Sequence, residues 1–79
     1  ALYTSEPAFT PGELAEAIDR FLRTLPEREC SMFLRRYWYV DSAQSIAARY
    51  AIKENTAKSI LFRTREKLRR YLAGEGIIV

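Results

Sequence analysis

From Glu54 to Leu72 the residues Ala57, Ile60, Leu61, Thr64, Leu68, Tyr71 and Leu72 fall within about 60° of one direction when the chain is wound as an α-helix. Everything else in that stretch except Phe62 is polar or charged. A long helix with one apolar stripe needs a surface to bury it against, so the remainder of the chain must supply that surface. No β-type alternation, internal repeat or low-complexity tract offers another solution.

Three shorter segments carry the same helical spacing. The first opens with Thr10-Pro11-Gly12-Glu13: Thr10 can cap, Pro11 suits the first helical position, and Glu13 can reach back to complete a capping box. Leu14, Ala17, Ile18, Phe21, Leu22 and Leu25 then line one face. Pro26 ends this helix and serves as the first position of the second, where Glu27 and Glu29 favour the positive end of the dipole. Met32, Phe33, Tyr37 and Cys30 form the inner face of the second helix, with Arg35 and Arg36 outside, and it fades near Trp38 to Val40. Asp41 and Ser42 are both good N-caps for a short third helix, Ala43 to Tyr50, which turns Ile46, Ala47 and Tyr50 inward. A turn at Ala51-Ile52-Lys53 leads into the long helix, which Gly74 and Gly76 end.

The expected architecture is all-α: a four-helix domain over residues 10–73 with a C-terminal helix-turn-helix. Residues 1–9 read as a tail or linker. Residues 74–79 read as a short tail whose Ile77-Ile78-Val79 folds back or meets a partner.

Composition narrows the function. With one cysteine and no histidine in 79 residues, neither an internal disulfide nor a zinc cluster is expected, and Cys30 reads as a small buried thiol in a reducing compartment. Apolar runs are too short to span a bilayer and the N-terminus lacks signal-peptide order, so a cytoplasmic protein is expected, with no membrane partner. Ala1 is not methionine, as in a piece of something longer. Charge is divided unevenly. Residues 1–30 hold three arginines against six acidic residues, a net of −3, whereas residues 31–79 hold ten basic against four acidic residues, a net of +6. The second half is the one suited to a polyanion.

In a helix-turn-helix two helices cross steeply through a short turn, and the first needs a small residue where the second packs on it. Ala47 stands there. Four residues on, Ala51 occupies a turn position that favours left-handed backbone, and Ile52 plugs the junction. With Ile52, Ala57 and Ile60 holding the last helix down, its other face presents Asn55, Lys58, Ser59, Phe62, Arg63, Glu66, Arg69 and Arg70. Asn, Lys and Ser near a helix start reach base edges in the major groove, while Lys and Arg further along neutralise phosphates. Phe62 on such a face suits a thymine methyl, a sugar or a protein partner. The bland alternative is a helical hairpin with a solvated basic face.

From Leu25-Pro26-Glu27-Arg28-Glu29 through Arg36-Tyr37, Ser42 and Ile46-Ala47 to the stretch from Asn55 to Arg69, the chain resembles region 4 of the sigma-70 family, particularly its smaller extracytoplasmic-function group. The Leu-Pro start and the Thr-x-Lys-Ser…Arg-x-Arg-x-Lys-Leu stretch are the specific parts, and the resemblance covers about residues 10–72. It implies a domain that docks on the β flap of core RNA polymerase and inserts its last helix into the minus-35 element of promoter DNA. Carried over position by position, Glu54, Asn55, Thr56, Lys58, Ser59, Phe62 and Arg63 face DNA. Arg35, Arg36, Arg65 and Lys67 then touch phosphates or form surface salt bridges. An anti-sigma protein is a further implied partner.

Three positions depart from the family's pattern. Ala51 replaces the usual glycine, at a cost on the order of 1 kcal/mol if left-handed. Lys53 stands where a Ser or Thr cap is usual, and Ala57 replaces a larger aliphatic. Nothing in the chain resembles region 2, so these residues alone are not expected to work as a sigma factor.

Two other readings fit the same residues. One is a response-regulator output domain, although its last helix tends to end sooner. The other is a protein-interaction module in which Phe21, Phe33, Tyr37, Trp38 and Tyr39 form a partner groove with the Ile77-Ile78-Val79 tail, although a domain this small is expected to place most of those aromatics in its core. An enzyme is not expected, nor a cofactor, metal or small-molecule substrate: the chain lacks histidine, a glycine-rich phosphate loop and paired carboxylates on a common apolar helical face.

Overall fold

The computed structural model describes residues 11–76. Four helices follow in order: α1 (Pro11–Leu22), α2 (Glu27–Tyr37), α3 (Ala43–Tyr50) and α4 (Glu54–Gly74). No strand occurs among the described residues, and no helix there is long and apolar enough to cross a membrane. The expected Thr10 cap, the 1–9 tail and the Ile77-Ile78-Val79 tail lie outside the described residues.

α1 stops at Leu22, short of Leu25. The chain before a proline is pushed toward extended backbone, and Thr24 helps end the helix by donating its hydroxyl to the Phe21 carbonyl at 2.7 Å. Pro26 is the N-cap of α2 rather than its first helical residue, with extended backbone (φ −56°, ψ 148°) and its carbonyl accepting from the Cys30 amide at 3.0 Å. α3 begins on Ser42, whose hydroxyl accepts from the Ser45 amide at 3.0 Å. α4 runs through Gly74, which therefore sits inside the last turn, and of these two glycines it is Gly76 that adopts positive φ (85°).

α4 is the spine, packing against all three other helices. Its first half closes a core of Met32, Ile46, Ala47, Ala57 and Leu61, with Tyr50, Ile52 and Ile60 against it. Its second half meets α1 in a smaller cluster of Ala17 and Leu72 with Leu14, Leu68 and Tyr71, and Phe21 tilts against Tyr71 at 5.5 Å between centroids. Thr64 is buried on the same stripe and satisfies its hydroxyl by donating to the Ile60 carbonyl at 2.9 Å. A hydrogen bond between the Ser31 and Tyr50 hydroxyls ties α2 to α3.

The expectation of a mostly buried aromatic set is corrected. Phe21 and Phe33 are buried, but Tyr37, Trp38 and Tyr39 are 49%, 77% and 66% exposed. Tyr37 leans on Phe33 at 4.7 Å from the outside of the core. A helix has one inner side, so a run of Tyr-Trp-Tyr-Val where α2 unwinds cannot all turn inward. Arg35 and Arg36, expected outside, are partly buried and fold onto the α2–α3 corner. Arg35 pairs with Asp41 at 3.5 Å, and Arg36 reaches the Asp41 carbonyl at 3.4 Å while lying over the Tyr37 ring.

Candidate nucleic-acid interface

The α3–α4 turn is set by hydrogen bonding around a left-handed Ala51 (φ 56°, ψ 45°). The Ile52 amide donates to the Ala47 carbonyl at 3.0 Å and the Ala51 amide to the Ala48 carbonyl at 3.3 Å. This pair closes a helix with an αL residue and sends the next residue inward, here Ile52 against the core. Lys53 then caps α4 by backbone alone, with no side-chain hydrogen bond. Ala57 is fully buried at the crossing, so its small side chain sets how closely α4 seats on α3. The three departures from the usual pattern are all accommodated this way.

Seating α4 by its buried stripe fixes what faces outward. Asn55, Ser59, Phe62 and Glu66 lie within about 60° of one another opposite that stripe, by the helix's own rotation of about 100° per residue. Glu54, Lys58, Arg65 and Arg69 follow one edge, and Thr56, Arg63, Lys67 and Arg70 the other. All twelve are exposed except Glu66, which is half-buried. The result is a polar and apolar centre line bordered on both sides by cations.

The borders are not equally available. Lys58 pairs with Glu54 one turn earlier at 3.2 Å, and Arg69 with Glu66 at 2.8 Å. Hydrogen bonding from Arg69 holds the Glu66 carboxyl below the usual glutamate range, and the same contact raises the Arg69 guanidinium. Lys67 reaches Glu29 of α2 at 3.7 Å, on the flank turned toward the body of the domain. These pairs are largely solvent-exposed and hold their partners only weakly.

The sequence-predicted residues therefore divide by place. α4 brings Glu54, Asn55, Thr56, Lys58, Ser59, Phe62 and Arg63 together on its outward surface. Arg35 and Arg36 are held at the α2–α3 corner by Asp41, while Arg65 borders a different feature. That feature is an apolar groove between α1, α2 and α4, lined by Ile18, Leu22, Phe33, Leu34, Tyr37, Trp38 and Leu68, with Asp19 and Arg65 at its rim. Sequence reading placed its aromatics in the core. The missed signal was four consecutive bulky residues, Tyr37 to Val40, at a helix end.

A family model described as Sigma-70, region 4 matches residues 21–70, more than half of the chain. Comparison with curated proteins and with solved structures gave no significant match.

Proposed function

Because this chain belongs to the sigma-70 region 4 family, a DNA-binding helix-turn-helix region of sigma factors, we propose that it recognises the minus-35 promoter element through α4. The family is regulatory rather than catalytic. The observation that carries the reading is the outward surface of α4: a centre line of Asn55, Ser59 and Phe62 between cationic edges, on a helix whose start is pinned by Ile52 and Ala57. Asn can pair with adenine edges and Ser with any base edge, whereas Lys58 and Arg63 supply affinity through guanine or phosphate.

The apolar groove supports the second half of the reading, docking on the β flap of core RNA polymerase as in the extracytoplasmic-function group. A groove framed by Leu34, Tyr37 and Trp38 fits the apolar side of a partner helix, and an anti-sigma protein that covered it would compete with polymerase. The two surfaces meet at Arg65 and otherwise lie on different sides of α4.

Selection from a randomised duplex library at two salt concentrations tests the first half. An enriched short motif is expected, lost when Asn55 and Ser59 are both changed to Ala; retention without enrichment rejects promoter recognition. For the second half, Trp38→Ala is expected to weaken binding to core polymerase while leaving duplex binding unchanged. Equal losses in both would reject separate surfaces.

A further inference from the structure

Where α2 ends, large apolar side chains are left in water. Tyr37, Trp38, Tyr39 and Val40 are 49%, 77%, 66% and 75% exposed. At about 150–250 Å² for a whole aromatic side chain, the three rings alone expose on the order of 400 Å². That already matches the largest apolar patch of a typical monomer, about 300–600 Å². It is about half of the roughly 800 Å² that each side of a standard interface buries. The groove beside the rings, lined by Ile18, Leu22, Phe33 and Leu68, adds to it. Trp38 borders this groove yet stands out of it, so one face offers both a projecting ring and a hollow. A surface with both can receive a copy of itself.

The charges at the rim select that occupant. Asp19 comes from α1 and Arg65 from α4, and both are exposed. Asp19 holds only Arg23 on the open surface, at 3.0 Å, and Arg65 enters no ion pair among the described residues. A two-fold contact is self-complementary, so an Asp19–Arg65 pair made between two copies is made twice. The elements agree with the rim. α1 has three acidic residues against one arginine, a net of −2, whereas α4 has six basic against two acidic residues, a net of +4. Laying α1 of one copy across α4 of another joins opposite charges, while laying α4 on α4 opposes like ones.

We propose that a second copy of this chain covers the face when no other partner does. The dimer is two-fold: α1 of each copy crosses α4 of the other, Trp38 of each enters the other's groove, and Asp19 meets Arg65 at both rims. Asn55 and Ser59 stay outside the contact, because α4 reaches the groove only through Arg65 and Leu68. The proposal does not rest on the reading of α4 as a recognition helix. It makes the dimer and a docked polymerase flap mutually exclusive. An interface centred on one apolar corner is a weak one, with dissociation in the micromolar range.

Sedimentation velocity of the 79-residue chain from about 1 µM to about 1 mM spans that range, with reductant present so that the free Cys30 cannot cross-link. The mass is expected to rise from 9.2 kDa to twice that value. Trp38→Ala should remain monomeric throughout. Asp19→Arg and Arg65→Asp should each weaken association by about tenfold, since each turns two exposed attractions into repulsions. An equimolar mixture of these two variants should recover the original strength, because both rims of the mixed pair again carry opposite charges. Far-UV circular dichroism of all three variants should match the unmodified chain, as the altered side chains are exposed.

A chain that stays monomeric at the highest concentration overturns the proposal and leaves the groove to the polymerase flap or another protein. Growth beyond a dimer overturns it too, since a head-to-tail contact does not close. So does a dimer that survives Trp38→Ala, or one that either charge reversal leaves as strong as before. A mixture that associates no better than its components rejects the crossing of α1 over α4.

Discussion

At the scale of single residues, two side chains among the described residues hold left-handed backbone that L-amino acids avoid, Val40 (φ 59°) and Ala51 (φ 56°). Ala51 was legible in advance, because its distance from Ala47 and the Ile after it mark a helix-turn-helix corner. Val40 was not: no glycine or asparagine marks the site, and the corner is held by groups on either side of it. The Asp41 amide donates to the Arg35 carbonyl at 2.8 Å, and the Arg35 and Asp41 side chains pair beside it. A β-branched residue there costs about 1–2 kcal/mol, and Val40 is 75% exposed, so little packing offsets the strain. Val40→Gly is expected to raise stability by about 1 kcal/mol after the extra unfolded-state entropy of glycine. A thermal melt should show a Tm higher by roughly 4–8 °C. Glu54 acts in the opposite sense on function. Its carboxylate engages Lys58 and meets any approaching phosphate with like charge. Glu54→Gln should tighten duplex binding by roughly threefold at low salt, with the gain shrinking as salt screens it, measured by fluorescence anisotropy of a labelled duplex.

At the scale of the elements, the four helices and their order were legible, because each carries its own apolar spacing and its own stop signal. Ends were less so. Leu25 continues the period of α1 but lies beyond its end, where Pro26 and the Thr24 hydroxyl decide the matter. Gly74 reads as a terminator yet sits inside α4, whose last turn is closed beyond it by the Glu75 amide donating to the Tyr71 and Leu72 carbonyls at 3.1 and 3.0 Å. The outward residues of α4 could be named from spacing alone. Their ion pairs could not, since a glutamate one turn away is no guarantee of contact. The Glu66–Arg69 pair makes a pH prediction for this helix. A carboxyl held below its ordinary value, here 4.5, contributes stability that is fully present above that value and is lost as pH falls through the depressed one. The loss should begin as the medium is acidified past about pH 4.5. Glu66→Gln should remove that part of the acid dependence of helicity, leaving a flatter profile by circular dichroism.

At the scale of the whole molecule, one helix carries both the fold and the outward cationic surface. Leu61 is buried in the core that joins α2, α3 and α4, and a chain this short has a thin margin of stability. Leu61→Ala is expected to cost about 2–5 kcal/mol, enough to leave much of the population unfolded. Its loss of duplex binding should then track the loss of helical signal, whereas a surface change such as Asn55→Ala should lose binding with the signal intact. What sequence alone could not show at this scale was the groove, since it exists only where three helices leave Tyr37 and Trp38 without cover. Trp38 is the chain's sole tryptophan, and at 77% exposure it stands in water. The molecule thus carries its own optical reporter, away from the surface proposed for DNA. Intrinsic fluorescence should hold its colour when a duplex is titrated in and shift to the blue when the groove is filled, so two occupancies can be followed in one cuvette without a label.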